Sequence, residues 1–499
     1  MISFSDFTNT TKTEQTIEGL QEKVRSYLPD ADLELLKLAY DFATEAHQGQ
    51  KRASGEPYVT HPLATAYNLA YLRVDLSTVI AGLLHDVPED TDVTLEEIEK
   101  NFGREIANLV KGITKLGRLK YRGIERYAEN LRKMFMAMAK DIRVIFIKFA
   151  DRIHNLQTIE HLAVEKQKRI ALETLEIYAP IANRLGMGEM KHELEDLAFM
   201  ILQPDEYRWL ISLRKEPLNK QIKNLEKIEK VINTDLAKAE IHTISVHGRT
   251  KRIYSLYKKL LRKDRDINKI YDLIALRIIV PSISDCYKTL GTIHARWRPL
   301  TGRIKDYIAT PKPNGYQSLH TTVFSDNGQI VEFQIRTPDM HELAEYGIAA
   351  HWHYKEGGSI KLPEKQLKWI KEIITIQKRI KNNEEYLQEI KLDIFRDNIY
   401  VFTPRGDVIE LPDGSTPIDF AYHVHTDIGN KCVGAKINDQ IASLDTTLKS
   451  GDMVEIMLDK NRRSPNEDWL AYVKTKTARE HIRQAINRDK KSWLNFNKI

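Results

Sequence analysis

The apolar residues of this chain change their spacing twice along its length, and these changes limit the folds that the chain can adopt. Up to about residue 200 the spacing has the period of a helix, and residues Thr94 to Glu97 form a capping box. The stretch VIFIKFA at 144–150 has strand propensity, but its helical neighbours favour a helix. From about 240 to 345, helical segments alternate with segments rich in β-branched residues, namely IHTISVHG, LIALRIIV, LHTTVFSD and QIVEFQIRT. An all-α domain followed by an α/β domain is therefore predicted.

The second change comes at residue 393. Residues 201–235 are charged and fit a helical connector, and residues 361–392 have the pattern of a long amphipathic helix. Short strands then recur between Gly and Pro turns, which indicates a small β-rich module: IYVFT, DVIEL, CVGAKIN and MVEIML. The predicted organisation is a helical domain at 1–200, a connector at 201–239, an α/β domain at 240–356, a linker helix at 357–392, a β-rich module at 393–459 and the start of a helical domain at 460–499.

The composition suits several folded domains. The chain has 499 residues, of which 42% are hydrophobic and 29% charged, so about three to four domains are expected. No apolar run is long enough to span a bilayer, and MISFSDFTNT lacks the basic and apolar parts of a signal peptide, which predicts a cytoplasmic protein without membrane contact. Cys286 and Cys432 are the only cysteines, which excludes a disulfide framework and a thiolate zinc site.

The net charge of +6 is concentrated near the C-terminus. Residues 460–499 contain eleven Lys and Arg against four Asp and Glu, an excess of +7, so the preceding residues are close to neutral. A nucleic-acid partner is therefore expected to meet this basic segment. A solvated basic helix explains the charge equally well.

The segment HDVPED at 85–90 places a histidine beside three carboxylates. Pro88 should end the helix predicted for STVIAGLLHDV, because proline lacks an amide donor. Glu89 and Asp90 are then expected at a helix C-terminus, where the helix dipole disfavours each carboxylate by ~0.3–1 kcal/mol. A bound cation is one candidate for the group that holds them there.

Four residues from three segments could provide ligands for such a cation: His61, His85, Asp86 and Asp151. Imidazole and carboxylate without thiolate suit manganese, iron, magnesium or zinc, and the oxygen content favours the harder ions. Glu89 and Asp90 lie one turn beyond Asp86, so either could take a proton from a water that the metal acidifies. Arg52, in the Gly-containing loop GQKRASGEP, is a candidate phosphate clamp.

Three motifs resemble the hydrolase domain of the long RelA/SpoT homologues, which belongs to the HD superfamily of metal-dependent phosphohydrolases: KRASGEPYVTHP at 51–62, HDVPED at 85–90 and KFADRIHNLQT at 148–158. The resemblance implies that Mn²⁺ is held by His61, His85, Asp86 and Asp151. It also implies that Glu89 and Asp90 act on the metal-bound water, and that the guanine nucleotide contacts Arg52, Asn155 and Thr158. Ala53 and Gln157 depart from the pattern, since many members have basic residues there.

Two later segments carry a high density of cations: GRTKRIYSLYKKL at 248–260, expected as a turn and the helix after it, and GRIKDYIATPKPNGYQSLH at 302–320. The charged and polar residues involved are Arg249, Lys251, Ser255, Lys259, Arg303, Lys305, Lys312 and His320. So many cations need balancing anions, which two neighbouring polyphosphates would supply. Tyr316, on an Asn-Gly turn, is placed to stack on a base. Asp272 and Glu332, on strand-like segments, suit Mg²⁺ that bridges nucleotide phosphates.

The same segments, with AEYGIAAHWHYKE at 344–356, resemble the synthetase domain of this family, which has a nucleotidyltransferase-like α/β fold. The resemblance implies that Arg249 and Arg277 enclose the adenine of ATP, while Ser255 and Lys259 hold its phosphates. The chain has no GxxxxGK[ST] run, so an ordinary P-loop ATPase is not expected.

The resemblance also implies an acceptor site. Tyr316 would stack on the guanine of GDP or GTP, and Asp272 and Glu332 would carry Mg²⁺, with Glu332 near the attacking 3′-hydroxyl. The remaining nucleotide-binding residues that the resemblance implies are Lys251, Arg303, Lys305, Lys312, Asn314, Gln317 and His320. The stretch RIKD at 303–306 matches the basic version of a loop that accompanies bifunctional members.

The stretch FTPRGDVIELPDGSTPIDFAYHVHTDIGNKCVGAKIN resembles a TGS domain, a β-grasp module. In this family its paired histidines, here His423 and His425 on what are predicted to be alternate strand positions, meet the 3′ end of deacylated tRNA on the ribosome. A core or surface role for both histidines is equally compatible with the sequence. The basic segment after the module resembles the start of the next helical domain of the family. The zinc-finger and ACT-type modules that usually follow are not in the sequence, which predicts a truncated or shortened member.

The leading hypothesis from these resemblances is a bifunctional enzyme. Its synthetase would move pyrophosphate from ATP to the 3′-hydroxyl of GDP or GTP to make (p)ppGpp, and its hydrolase would remove that pyrophosphate. Since both activities together would only consume ATP, we expect a conformational equilibrium to couple the two sites. Two alternatives remain, a ribosome- or tRNA-sensing binding protein with inactive sites, and a hydrolase with an inactive synthetase.

Overall fold

The computed structural model describes residues 15–117, 123–270, 273–312, 314–326, 328–352, 364–380, 382–383, 385–386, 398–449, 451–459, 462 and 464–496. Contacts divide the chain into two compact units, Met1–Glu389 and Ile390–Ile499. None of the helices in the described ranges is long and apolar enough to cross a membrane.

The first unit begins with the predicted all-α part. Its helices are α1 (Ile17–Arg25), α2 (Leu33–Ala46), α3 (Thr60–Tyr71), α4 (Leu76–Leu84), α5 (Val87–Asp90), α6 (Leu95–Gly117), α7 (Gly123–Lys140), α8 (Arg143–Gln157), α9 (Val164–Glu173), α10 (Ala179–Arg184), α11 (Gly188–Leu202) and α12 (Pro204–Lys238). The predicted capping box starts α6, because the backbone N–H of Thr94 donates to Glu97 and that of Glu97 donates to Thr94 Oγ1. The predicted charged connector is α12.

Helix α8 is a largely buried helix that carries one of the metal residues. The VIFIKFA stretch lies within it, as predicted, and its Phe146 and Phe149 are fully buried, which stabilises the fold by ~1.5–3 kcal/mol for each side chain. Asn68 on α3 donates from Nδ2 to the Ala150 carbonyl at 3.0 Å. This hydrogen bond fixes α3 against α8, and those two helices carry His61 and Asp151.

The predicted position of Glu89 and Asp90, at or just past the end of the STVIAGLLHDV helix, is wrong. Helix α4 ends at Leu84, and a new helical turn, α5, begins at Val87 with Pro88 in its first turn. Proline is tolerated there because the amide of a first helical position has no partner within the helix. The two carboxylates are the last two residues of this single four-residue turn, so the dipole argument for a cation, which assumed the end of a long helix, does not hold.

The α/β part contains the predicted strands in one five-stranded sheet. The strands are β1 (Ser245–Thr250), β2 (Ile274–Ile279), β3 (Lys305–Asp306), β4 (Leu319–Phe324) and β5 (Ile330–Arg336), and the helices are α13 (Ile253–Leu261), α14 (Ile283–Arg296) and α15 (Pro338–Tyr346), followed by α16 (Glu364–Arg379). The strand order is β1-β2-β5-β4-β3, with only β2 and β5 parallel. Leu276, Ile278 and Phe333 bury the sheet face that packs on α12 and α14.

The sheet register places one carboxylate at the centre of this sheet. Glu332 on β5 lies opposite Ala275 on β2 and Thr322 on β4. Neighbouring strands are ~4.8 Å apart, so the edge strands β1 and β3 are separated by about 19 Å. Groups on the two edges can therefore bind two molecules whose ends meet near Glu332.

The second unit combines a hairpin, a small sheet and helices. Its elements are β6 (Asn398–Phe402), β7 (Val408–Pro412), α17 (Pro417–Val424), α18 (Thr426–Asn430), β8 (Cys432–Ile437), β9 (Gln440–Ala442), β10 (Val454–Leu458) and α19 (Lys476–Phe496). Strands β6 and β7 pair with each other, and the sheet order is β10-β8-β9. All four predicted strands are present. Apolar residues of the sheet and of the hairpin pack against α17.

The prediction that His423 and His425 occupy alternate strand positions is wrong. His423 lies in the last turn of α17, and His425 lies between α17 and α18. The helix forms because Thr416 and Asp419 make a capping box at its start. Pro417, between these two residues, has a fixed φ that suits the first helical turn.

Asp419 joins α17 to the segment that precedes α19, and we expect Asp419→Ala to destabilise the second unit by about 3 kcal/mol. The carboxylate is fully buried and accepts hydrogen bonds from Thr416, from the Lys474 amide at 2.9 Å and from the Thr475 amide at 2.6 Å. Removing it leaves those donors buried without an acceptor. Hydrogen exchange of the Lys474 and Thr475 amides will measure the loss, and Asp413→Ala, at an exposed carboxylate of the same unit, is the control. Equal exchange in both variants would contradict this role.

Candidate active sites

The four predicted metal ligands converge in the helical part of the first unit. His61 comes from α3, His85 and Asp86 from the link between α4 and α5, and Asp151 from α8. His61 Nε2 lies 3.4 Å from Asp86 Oδ2 and 3.2 Å from Asp151 Oδ1, and His85 Nε2 lies 3.1 Å from Asp86 Oδ1. Ligand atoms of His61, His85 and Asp86 all lie within 4.8 Å of one another, a spacing that suits a single metal ion.

The hydrogen bonds of His85 fit a metal ligand. Its Nδ1 donates to the Gly82 carbonyl at 2.8 Å, so Nε2 of the neutral ring carries a lone pair. This buried Nε2 has no hydrogen-bond partner among the residues that the structure describes, although Asp86 Oδ1 faces it. Two acceptor atoms in contact repel each other, and a cation between them removes the repulsion.

The same reasoning applies to His61. Arg52 has only donors, so His154 Nδ1, 3.1 Å from Arg52 Nη1, must be an acceptor. His61 Nδ1, at 2.8 Å from the same atom, is therefore the donor. The lone pair of His61 Nε2 then points at two carboxylates, which is the tautomer that metal-bound histidines adopt when their second nitrogen donates.

Two residues that the sequence did not single out contact the carboxylate ligands. The Tyr58 hydroxyl lies 3.0 Å from Asp86 Oδ2 and 2.6 Å from Asp90 Oδ2, and Lys148 Nζ lies 2.7 Å from Asp151 Oδ2. Burial alone would lower the pKa of Lys148, but the Asp151 carboxylate raises it overall, so the lysine stays charged. Their spacing from the predicted ligands could have identified both residues. Lys148 lies one helical turn before Asp151, and Tyr58 lies three residues before His61.

The predicted nucleotide contacts of this site lie beside the metal residues. Arg52 Nη2 donates to Asn155 Oδ1 at 3.2 Å, and Asn155 also donates to Asp151. Thr158 caps the end of α8, with its hydroxyl donating to the His154 carbonyl at 3.0 Å. Loop residue Arg52 is thus held at the C-terminal end of α8, next to the metal ligands.

Glu89 has the electrostatic environment of a proton acceptor. Burial and the neighbouring Asp86 carboxylate raise the pKa of Glu89 to about 7. A carboxyl group with a pKa near neutral pH can both take and return a proton during a reaction. Asp90 lies beside it and accepts the Tyr58 hydroxyl.

A second site is a cavity of about 540 Å³ over the sheet, here called the basic cavity. Ten cationic side chains line it, against the two carboxylates Glu332 and Glu345: Lys191, Arg249, Lys251, Arg252, Lys259, Lys263, Lys269, Arg303, Lys305 and Lys312. Such an excess of positive charge in a concave site suits polyphosphate ligands.

The basic cavity has two ends on opposite edges of the sheet. Arg249 and Lys251 lie on or just after β1, with Ser255 and Lys259 on the helix that follows. Lys305 lies on β3, while Lys312, Asn314 and Tyr316 belong to the loop between β3 and β4, where Gly315 has a φ of +81°. Glu332 lies between these ends. Arg249, which was expected on a turn, is within the strand.

The Tyr316 end of the cavity contains a hydrogen-bonded chain that reaches Glu332. The Tyr316 hydroxyl lies 2.8 Å from His320 Nε2, and His320 Nδ1 lies 3.0 Å from Glu332 Oε1. Burial alone would raise the pKa of Tyr316, but Arg336 and His320 lower it to about 7. The chain fixes both the aromatic ring and the central carboxylate.

Three predicted residues are not part of this cavity lining. Arg277 is buried with Nη1 2.8 Å from Glu345 Oε1, so it contacts the cavity wall from behind. Gln317 donates to the Ile308 carbonyl at 3.2 Å. Asp272 lies outside the described residues.

The structure also adds residues to the cavity wall that the sequence did not indicate. Asn183, Lys191 and His192 come from α10 and α11, in the helical part of the unit, and Asn314 Nδ2 donates to the Asn183 carbonyl at 3.2 Å. No local pattern marks these residues, because they reach the cavity only through the packing of α11 against the α/β part.

The paired histidines of the second unit are exposed at a helix end. His423, Val424 and His425 are all exposed, and His425 Nδ1 accepts from the Asp427 amide at 3.1 Å. The site is therefore open to a large partner.

Three protein-family models match the chain. An HD domain matches residues 39–188, the "Region found in RelA / SpoT proteins" matches residues 248–359, and a TGS domain matches residues 399–458. The first match contains the metal residues and the second contains most of the basic cavity. HD and pyrophosphokinase domains both imply the use of divalent metal.

Several curated proteins are similar to this chain over nearly its whole length. The GTP pyrophosphokinase of Myxococcus xanthus is 46% identical over 473 residues, which are 94% of this chain and 62% of that protein. The bifunctional (p)ppGpp synthase/hydrolase SpoT of Escherichia coli K12 is 46% identical over 472 residues, 94% of this chain and 67% of that protein. The guanosine-3′,5′-bis(diphosphate) 3′-pyrophosphohydrolase of Aquifex aeolicus is 45% identical over 484 residues, 96% of this chain and 68% of that protein. This chain thus spans about three fifths to two thirds of the length of these relatives, and it belongs to the RelA/SpoT family.

Proposed function

We propose that this chain both makes and degrades (p)ppGpp, at two separate sites. One site would transfer the β,γ-pyrophosphoryl group of ATP to the 3′-hydroxyl of GDP or GTP. The other would hydrolyse the product to GDP or GTP and pyrophosphate. The observation that carries the proposal is that the first unit contains both the His/Asp cluster and the basic cavity with its central Glu332.

For hydrolysis, we propose that Mn²⁺ is held by His61, His85, Asp86 and Asp151. Bound there, the metal would acidify a water and polarise the 3′-phosphate. Glu89, with its raised pKa, takes the proton of the attacking water, and Asp90 orients that water. Arg52, Asn155 and Thr158 hold the guanine nucleotide.

For synthesis, the two ends of the basic cavity would hold the two nucleotides. The β1 edge takes ATP, with Arg249 at the adenine and Lys251, Ser255 and Lys259 at the phosphates. Arg277, expected beside Arg249, would support this end from behind the wall through Glu345. The β3 edge takes GDP or GTP, whose guanine stacks on Tyr316. The other acceptor-side residues are Arg303, Lys305, Lys312, Asn314, Gln317 and His320.

In the proposed transfer, Glu332 is the proton acceptor. The 3′-oxygen of the acceptor attacks the β-phosphorus of ATP, the bond from that phosphorus to the α-phosphate oxygen breaks, and AMP leaves. Glu332 accepts the proton of the 3′-hydroxyl, and His320 holds its carboxylate in place. Asp272 and Glu332 would hold Mg²⁺, which would supply positive charge to the phosphates.

The second unit would connect the enzyme to translation. We propose that His423 and His425, exposed at the end of α17, meet deacylated tRNA on the ribosome, and that the basic segment after residue 460 adds contacts to phosphates. A cytoplasmic location follows from these partners.

The experiment that tests the proposed function uses the purified chain in two incubations. ATP and GDP with Mg²⁺ should yield ppGpp and AMP in equal amounts, and ppGpp with Mn²⁺ should yield GDP and pyrophosphate, as resolved by chromatography. Absence of the first reaction would favour the hydrolase with an inactive synthetase. Absence of both would favour the regulatory binding protein.

We expect Tyr58→Phe to lower hydrolysis about tenfold and to raise the Mn²⁺ concentration needed for half-maximal hydrolysis, with synthesis unchanged. The Tyr58 hydroxyl contacts the carboxylates of Asp86 and Asp90. Losing a residue that hydrogen-bonds a metal ligand costs roughly 10–100-fold in metal affinity or activity. A Mn²⁺ titration of ppGpp hydrolysis measures the effect. Tyr27→Phe is the control, because it removes a hydroxyl that donates to the Val74 carbonyl at 3.1 Å, away from the metal residues. An unchanged Mn²⁺ titration would contradict the role of Tyr58.

A further inference from the structure

One wall of the basic cavity comes from outside the α/β part. Asn183 lies in the last turn of α10 and Gly186 follows that helix, while Gly188, Lys191 and His192 belong to the first turns of α11. These residues lie in the helical part, so a ligand in the cavity contacts both parts of the unit. The wall also carries a type of group that the phosphate-binding cations do not provide, the imidazole of His192, whose Nδ1 is buried.

This wall packs closely against α15 and the residues that follow it. A Cβ on Gly188 would lie 2.5 Å from the Ala344 carbonyl oxygen, and a Cβ on Gly347 would lie 2.4 Å from the Leu185 carbonyl oxygen. The Ile348 amide donates to that same Leu185 carbonyl at 2.9 Å. The backbone at the start of α11 therefore approaches the end of α15 closely, which fixes the first turn of the helix that carries His192.

His192 presents a buried nitrogen that needs a partner. Its Nδ1 has no hydrogen-bond partner among the residues that the structure describes. An unsatisfied buried polar atom is costly, and native structures retain one mainly where a ligand or an ordered water completes it. Because His192 lines the basic cavity, the nucleotide that binds there is the candidate partner.

The charge state of His192 decides which part of a nucleotide it can recognise. Burial and the nearby cations Arg249, Lys191 and Arg252 hold the pKa of His192 well below its usual range, so the ring is neutral. The surrounding Lys and Arg side chains would bind the phosphate oxygens. A neutral imidazole adds a hydrogen bond of the kind that a sugar hydroxyl or a base edge makes.

We propose that His192 Nδ1 hydrogen-bonds the nucleoside of the nucleotide bound at the β1 edge of the basic cavity, and so helps to select the donor nucleotide. The inference rests on the proposed function, in which that nucleotide is ATP. His192 is then a binding residue supplied by the helical part of the unit. The α/β part on its own lacks this contact.

The test compares binding of three ligands by the full chain and its variants. Calorimetry is done with GDP saturating and with the α,β-methylene analogue of ATP, ribose 5-triphosphate or tripolyphosphate as titrant. We expect His192→Ala to weaken binding of the ATP analogue about fivefold to tenfold, as for a lost hydrogen bond, and to leave tripolyphosphate unchanged. His192→Asn, whose amide can replace Nδ1, should recover most of the affinity.

Lys191→Gln is the matched control on the same wall, because the loss of a lining cation should weaken all three ligands alike. Loss for the ATP analogue but not for ribose 5-triphosphate assigns the contact to the base, and loss for both assigns it to the sugar. Equal loss for tripolyphosphate in His192→Ala, or no loss for any ligand in a variant with unchanged thermal unfolding, would overturn the inference alone. A wild-type chain that does not bind the ATP analogue would overturn the proposed donor and this inference together.

Discussion

Asp86→Ala is expected to reduce ppGpp hydrolysis by about a thousandfold or more, a loss of ~4 kcal/mol of transition-state stabilisation. Asp86 is the carboxylate that faces both histidines, with Oδ1 near His85 and Oδ2 near His61. Without Asp86, the site would lose a negatively charged metal ligand, and no carboxylate would lie next to both His61 and His85. Synthesis should stay within about twofold of wild type, because the basic cavity does not include this residue.

The measurement is ppGpp hydrolysis over a range of Mn²⁺ concentrations, together with the metal content of the purified variant. Asp92→Ala provides the control, since Asp92 is an exposed carboxylate only six residues further along the chain. A variant that keeps more than about a tenth of the hydrolysis, and keeps its bound metal, would contradict the assignment of Asp86 as a ligand.

Glu332→Gln is expected to have the opposite selectivity, with synthesis reduced by about a thousandfold and hydrolysis unchanged. The glutamine side chain has the size of glutamate and can keep a hydrogen bond with His320, but it cannot accept a proton from the attacking 3′-hydroxyl. The loss should therefore fall on kcat and leave the binding of both nucleotides close to that of wild type.

Initial rates of ppGpp formation over a matrix of ATP and GDP concentrations will separate kcat from KM. Asp326→Asn, an exposed carboxylate in the turn between β4 and β5, is the matched control. If Glu332→Gln raised KM alone, Glu332 would be a binding residue and the proton acceptor would lie elsewhere.

Much of the fold could be predicted from local patterns. Helix α8 was predicted against the strand propensity of VIFIKFA, because its neighbours have helical periodicity, and β1, β2, β4 and β5 were predicted from β-branched segments between turns. These predictions succeed because period and turn residues act over a few positions.

The wrong predictions for the HDVPED carboxylates and for the paired histidines have a shared cause, since a local signal for the end of one element does not identify the next element. The first helix ends at Leu84, and Pro88 lies in the first turn of a separate four-residue helix that also contains Glu89 and Asp90. The HVH stretch at 423–425 has the alternation of a strand, but the capping box at Thr416 starts a helix that includes His423.

The candidate sites depend on packing that no local pattern reveals. The motifs identified His61 and Asp151, but only the crossing of α3 and α8 brings their side chains to 3.2 Å. Tyr58 and Lys148 were missed because a tyrosine and a lysine on a helical domain are ordinary residues until their partners are known. His192 reaches the basic cavity because the start of α11 packs closely on the end of α15, which depends on Gly188 in α11 and on Gly347 directly after α15.

The central claim is that one chain attaches a pyrophosphoryl group to a guanine nucleotide and later removes it at a different site. Its most direct test uses ATP radiolabelled at the β-phosphorus, with GDP and Mg²⁺, followed by removal of ATP and addition of Mn²⁺. The label should pass from ATP to ppGpp and then appear in pyrophosphate, with Glu332→Gln blocking only the first step and Asp86→Ala only the second. Label that remains in adenine nucleotides, or that is released as orthophosphate, or a single variant that blocks both steps, would contradict the account.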